Sequence, residues 1–225
     1  MIIDTDIFES ARNFWGGEAN KGNLIWPNEE VVRFVRKNYP KPDSTVILDY
    51  GCGGGRDTVA LCTYGYKMIA LDYAEEALEL VRKKCKVFGN NQVTIVKNKD
   101  LEIPLEDRLV DAVIADGSLF LNAKRDICTI VTELKRVLKD GGLLWANFRS
   151  ISDSLCGQGE EIDDGLFVMN ESTGRKGCTY FFSTERDIRE IFEKAGLSVI
   201  SIDTFLHTEN NHQTVNNWYY VIARK

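Results

Sequence analysis

Three glycines at alternate positions, within Asp49-Tyr50-Gly51-Cys52-Gly53-Gly54-Gly55-Arg56, follow the apolar run Val46-Ile47-Leu48 and precede a helical pattern over 57–64. Such a segment turns the chain sharply between a buried strand and a helix. Glycine adopts positive φ freely and leaves room where a Cβ would collide with a ligand. The first N–H groups of the following helix have no partner within it, which suits a carboxylate or a phosphate. On its own, the segment equally fits a plain strand-to-helix turn. It departs from the dinucleotide fingerprint G-x-G-x-x-G, because Arg56 stands where the third glycine belongs.

The rest of the chain alternates in the same way. Strand-like runs at 67–71, 93–96, 110–115 and 143–148 are separated by helical stripes such as Ala74, Ala77, Leu78, Val81 and Cys85. Strands alternating with helices predict an α/β fold with a mostly parallel, doubly wound sheet. Thr184 and Asp187 have capping-box spacing ahead of Ile188, Ile191 and Phe192. Two closing strands, 197–205 and 218–223, have no helix between them and must pair antiparallel. The expectation is one domain over 1–225, with a seven-stranded sheet ending in a hairpin. Residues 1–43 and 150–181 fall outside the alternation, as an N-terminal cap and a lid-like insertion over the strands' carboxyl ends, where open sheets bind ligands.

Asp72 ends the second strand-like run, and Asp116-Gly117 ends the fourth. A carboxylate in the place of Asp72 can accept from two neighbouring hydroxyls, or simply cap the next helix. Asp100 and Leu101 follow the third strand, in a loop whose register the pattern leaves open by one position. Arg149 ends the fifth and points to the pocket mouth or to solvent. Trp15, Trp26, Tyr180 and Phe182 offer aromatic surface from the covering segments.

The motif Asp49-x-Gly51-x-Gly53-x-Gly55 resembles the first motif of class I S-adenosylmethionine-dependent methyltransferases. The form Gly-Cys-Gly-Gly-Gly-Arg-Asp is similar to their small-molecule branch, which includes tellurite-resistance-type enzymes. The likeness extends over 46–148 and implies a Rossmann-like fold, with S-adenosylmethionine as cofactor and S-adenosylhomocysteine as product. It implies that Gly51, Cys52 and Gly53 line the methionine part, with Asp49 near its amino group. Arg56 would reach the methionine carboxylate or pair with a lid carboxylate. Asp72 would take the ribose, Tyr73 an adenine face, and Asp100 with Leu101 the adenine edge. Asp116 and Gly117 would touch the cofactor from the other side. Trp15 would close over the sulfonium by cation–π contact or anchor the cap. Arg149, Trp26, Tyr180 and Phe182 are the candidates for the methyl acceptor.

A net charge of −6 speaks against a broad nucleic-acid surface. Neither an Asn-Pro-Pro-Tyr tetrad nor a Pro-Cys pair occurs, so the motifs of nucleobase methylation are missing. The acceptor expected is a small molecule bearing a hydroxyl or amine. Methylation of RNA or protein, and a non-catalytic cofactor-binding protein, stay open as alternatives. His207 and His212 read as turn residues far from any ligand cluster, and no metal is expected. No side chain stands out as a general base. Six scattered cysteines, no apolar run of membrane length and no secretory start predict a cytoplasmic chain of unspecified oligomeric state.

Overall fold

The computed structural model describes residues 26–89 and 92–225. Strand β1 (Val46–Tyr50) is buried along nearly its whole length, so its side chains alternate between two apolar layers rather than between core and water. It pairs in parallel with β2 (Lys67–Asp72) on one side and β4 (Val110–Ala115) on the other. Beyond β2 lies β3 (Val93–Lys97), and beyond β4 lies β5 (Leu138–Ser150). The closing hairpin, β9 (Ser198–Glu209) and β10 (Thr214–Arg224), adds antiparallel strands to the free edge of β5. The order β3-β2-β1-β4-β5-β10-β9 has the expected doubly wound arrangement with its terminal hairpin, but three further strands bring the sheet to ten.

The period-two alternation sorts the core. Ile47, Met68, Ala112 and Ile114 face one layer, built on α1 (Glu29–Asn38) and α2 (Arg56–Thr63). On the same side, α3 (Glu75–Val87) covers Ala70 with Leu78 and Val81. Leu48, Ile69, Val113 and Phe148 face the other layer, where α4 (Lys124–Val137) and α5 (Glu185–Lys194) supply Ile127, Val131, Ile188 and Phe192. Gly142, inside β5, is held so closely that an added Cβ would meet the Asp111 carbonyl at 2.9 Å. Among the described residues, no helix is long and apolar enough to cross a membrane.

Most elements run longer than their apolar patterns. Both hairpin strands extend well past the predicted 205 and 218, leaving a turn over 210–213 in which Asn210, Asn211 and His212 all have positive φ. His207 consequently lies within β9 and not in a turn, whereas His212 is a turn residue. The segment over 150–181 is also more ordered than a loop. Strands β6 (Gly159–Asp163), β7 (Leu166–Met169) and β8 (Thr179–Ser183) form an antiparallel meander. The end of β8 joins the main sheet through Arg149↔Phe182 and Ser150↔Ser183.

Candidate active site

The glycine loop is tied to the strand beside it: Gly51 and Cys52 both donate N–H to the Leu71 carbonyl, at 2.8 and 3.0 Å. Gly51, Gly53 and Gly55 all have positive φ, but for different spatial reasons. A Cβ on Gly51 would lie 2.5 Å from the Ser118 Cβ, and one on Gly55 would lie 2.8 Å from the Val81 side chain. A Cβ on Gly53 would meet nothing within 4 Å. Two of the glycines serve packing. The third faces open space.

That space is a cavity of about 940 Å³ across the carboxyl ends of β1, β2, β4 and β5. Asp72 stands on its wall with its carboxylate held by backbone. Gly53 donates to Oδ2 at 2.8 Å and Ala74 to Oδ1 at 2.9 Å. Burial pushes the Asp72 carboxyl up and these N–H groups pull it back. Asp72 is therefore the clamp of the loop, while Ala74, with no side-chain cap, is the N-cap of α3. One residue past β3, Asn98 donates N–H to the Asp72 carbonyl at 2.9 Å and lines the same end of the cavity. Its Oδ1 is buried and accepts no hydrogen bond among the described residues. Tyr73, Asp100 and Leu101 line the cavity beside it.

At the end of β1 the site is acidic. Asp49 is buried and accepts from the Thr58 hydroxyl at 2.5 Å; burial, then the charge of Asp57, pushes its carboxyl up to about 8. Burial raises Asp57 to about 6, against the opposing pull of Arg56. Arg56 pairs with Asp57 at 3.0 Å and also with Asp116. Burial works against its charge, yet the two carboxylates more than offset that. Arg56 thus pairs with carboxylates of its own helix and of the end of β4, not with one from the insertion. Asn28, just before α1, donates N–H to Asp57 at 2.7 Å and Nδ2 to Asp116 at 3.2 Å. Asn147 donates to Asp116 at 2.6 Å and accepts from Gly117 N–H at 2.7 Å. The Cys52 thiol is raised well above its ordinary value by burial, which leaves it a packing group rather than a nucleophile.

The β5–β10 end has a different character. Arg149 is only 5% exposed and donates Nη1 to Asp153 at 2.7 Å. Its guanidinium carbon lies 4.0 Å from the Trp218 ring centre and 5.5 Å from that of Tyr180. Phe120 meets Tyr180 and Trp218 edge-on, with centroids 5.3 and 5.4 Å away. All four line the cavity, together with Arg175.

The structure brings together Asp49, Gly51, Cys52, Gly53, Arg56, Asp72, Tyr73, Asp100, Leu101, Asp116, Gly117, Arg149 and Tyr180 on one wall system. Phe182 is not part of it: this ring is 2% exposed and packs edge-on between Phe167 and Tyr180. Trp26 is 81% exposed and does not line the cavity. Trp15 lies outside the described residues. Asn28, Asn98, Phe120, Asn147, Arg175 and Trp218 were not singled out from sequence. Only Asn98 carried a usable signal, as a polar residue directly after a strand on the ligand edge of a parallel sheet.

Residues 47–142 match the family model described as a methyltransferase domain. The chain is 32% identical over 177 residues to the demethylmenaquinone methyltransferase of Bacillus pumilus, a match covering 70% of this chain and 73% of that protein. In other curated relatives the matched stretch spans about half of the protein or less, at 47%, 43% and 41%. Solved structures share the fold, and two of them illustrate it. An S-adenosylmethionine-dependent methyltransferase of Methanosarcina mazei has a TM-score of 0.73 at 20% identity, covering 85% of this chain and 96% of that one. The 1,6-didemethyltoxoflavin N1-methyltransferase of Burkholderia thailandensis, solved with 1,6-didemethyltoxoflavin and S-adenosylhomocysteine, has a TM-score of 0.74 at 17% identity, covering 100% and 91%.

Proposed function

Given that this chain belongs to the class I S-adenosylmethionine-dependent methyltransferases, we propose that it transfers the cofactor's methyl group to a small-molecule acceptor. One observation carries this reading: a single cavity runs from Asp72 and Asn98 past the glycine loop to the arginine–aromatic chamber at Arg149. At about 940 Å³ it lies near the upper end of the about 300–1,000 Å³ usual for ligand pockets, which suits a cofactor and an acceptor side by side. The names of the Bacillus and Burkholderia relatives, both small-molecule methyltransferases, support the acceptor class.

The residues present fit the cofactor. Open space over Gly53 leaves backbone bare to a ligand, and the unpartnered Asn98 Oδ1 waits for a donor such as an amino group. Asp72, already anchored by two N–H groups, keeps lone pairs for ribose hydroxyls. Asn98, Asp100 and Leu101 would border the adenine edge, with Tyr73 against its face. Gly51, Gly53 and Asp49 would border the methionine part. When bound, S-adenosylmethionine supplies a methyl group already activated on a sulfonium. The chain's own work is then to align the acceptor and keep water out, and alignment of this kind can lower a barrier by roughly 7–11 kcal/mol. Asp57 and Asp116 place negative potential on the end that receives a cationic ligand.

Calorimetric titration with S-adenosylmethionine, S-adenosylhomocysteine and NAD tests the cofactor. Transfer of labelled methyl groups, scored separately in the small-molecule, RNA and protein fractions of an extract, tests the acceptor. Binding of NAD with no response to either sulfur ligand would overturn the proposal, as would label appearing only in macromolecules.

A further inference from the structure

The two ends of the cavity differ in charge. Asp49, Asp57 and Asp116 gather around Arg56 at the β1 and β4 ends, with Asp72 at the end of β2 on the same side of the cavity. Arg149 and Arg175 face the cavity at the other end. Arg149 sits at the end of β5, three strand positions from β2, or roughly 14 Å at the usual spacing between neighbours.

Arg149 is only partly neutralised. Its partner Asp153 also accepts from the backbone N–H groups of Asn217 at 3.0 Å and Leu155 at 2.9 Å, so its charge is divided among three donors. Among the described residues, the buried Arg149 Nε has no hydrogen-bond partner and Nη2 has none either. A buried guanidinium with donors to spare costs free energy until an acceptor reaches it. Arg175, half-buried, has no carboxylate within ion-pair distance among the described residues; its guanidinium meets the Thr173 carbonyl at 3.4 Å and bonds the Tyr180 phenol, both neutral partners. Asp126, a carboxylate of α4 on the same cavity, is already paired with Arg125 at 3.4 Å. Burial pushes the Tyr180 phenol up while Arg175 and Arg149 pull it down, so both cations act on the same spot. Around that spot the rings of Trp218, Tyr180 and Phe120 form the apolar wall of the cavity.

We infer that the methyl acceptor is a small planar molecule carrying a carboxylate, which Arg149 and Arg175 hold while Trp218, Tyr180 and Phe120 pack its ring. This rests on the proposed function, since it assigns the chamber to the acceptor and the acidic end to the cofactor. A carboxylate suits the guanidinium fork in shape and charge, and a charge-assisted bond is about twice as strong as a neutral one.

The full-length chain is saturated with S-adenosylhomocysteine and titrated with 2-naphthoate and with its neutral counterpart 2-naphthamide. The carboxylate is expected to bind at least about tenfold more tightly. Arg175→Met should remove that preference while leaving the S-adenosylhomocysteine affinity and the weak amide binding unchanged. Arg149→Lys, which keeps the charge but loses the fork, should weaken the carboxylate with the cofactor again unaffected. Naphthoate no tighter than naphthamide, or no binding of either, overturns the inference while the cofactor titration stands. A fall in S-adenosylhomocysteine affinity in Arg175→Met also overturns it, because that arginine would then serve the cofactor. Failure of the unaltered chain to bind S-adenosylhomocysteine overturns the proposed function itself, and the inference with it.

Discussion

The Asp72 carboxylate accepts the Gly53 N–H at 2.8 Å, so the end of β2 fastens the middle of the loop that follows β1. A single side chain thereby sets the backbone shape at the cofactor end and also faces the cavity. Asp72→Ala should remove both roles. It leaves the Gly53 and Ala74 N–H groups without their acceptor, at about 1–3 kcal/mol each, and lowers S-adenosylhomocysteine affinity by at least about tenfold. Calorimetry reads the second effect, and an unchanged dissociation constant would place the ribose elsewhere.

Gly51 and Gly53 should separate packing from binding. Alanine at 51 meets a left-handed φ of 70° and a Ser118 Cβ at 2.5 Å. The conformational cost of about 1–2 kcal/mol and the overlap cost of about 1–3 kcal/mol predict a clear fall in thermal stability. Alanine at 53 bears only the conformational cost, because its Cβ enters open space. Gly53→Ala should melt closer to the unaltered chain yet bind S-adenosylhomocysteine far more weakly. Equal cofactor binding by Gly53→Ala and the parent would mean that no ligand passes over that residue.

What could be read from sequence was what backbone chemistry demands locally. The glycine loop, Asp72 and Asp116 announce themselves because each stands at a strand end, where the next turn needs a particular residue. The capping box at Thr184 and Asp187 is equally local, and both of its bonds form. Trp218 and Phe182 could not be placed in this way. Each is defined by register against Arg149, Trp218 from β10 and Phe182 from β8. A slip of one residue would turn either ring to the opposite face, and nothing in the chain's own periodicity specifies the alignment. Asn98 was missed because β3 pairs one residue further than its apolar run, through the bond to the Asp72 carbonyl. The ends of the hairpin strands were underestimated for a related reason. Half-buried polar residues such as Asn216 and Asn217 continue a strand only because a long partner offers its backbone.

Thr184→Ala gives a control that should touch stability alone. The Thr184 hydroxyl accepts from Asp187 N–H at 3.2 Å, and the Asp187 carboxylate accepts from Thr184 N–H at 2.9 Å. Loss of an N-cap of this type costs about 1 kcal/mol. Helix α5 packs on the face opposite the glycine loop's helix, so S-adenosylhomocysteine affinity should not change. Chemical denaturation measures the first quantity. A parallel loss of cofactor binding would reveal a coupling between α5 and the loop.

Asp49 should make both stability and binding depend on pH in a defined direction. Folding raises its carboxyl from 3.8 to about 8, through burial and then the neighbouring charge of Asp57. Between those values the folded chain holds a proton that the unfolded chain has released, so stability falls as pH rises across that window. Asp57, raised to about 6, adds to the fall over its lower half. Asp49→Asn keeps an acceptor for Thr58 but cannot ionise. Relative to the parent it should gain stability as pH increases, on the order of a few kcal/mol by pH 8, with the difference vanishing near pH 4. A bound ammonium group beside Asp49 would favour the ionised carboxylate, so S-adenosylhomocysteine binding at pH 7 should release a proton. Titrations in phosphate and in Tris, buffers of very different ionisation enthalpy, would then give different apparent binding enthalpies for the parent and matching ones for Asp49→Asn. Matching enthalpies in the parent would mean that the amino group does not sit against this carboxylate.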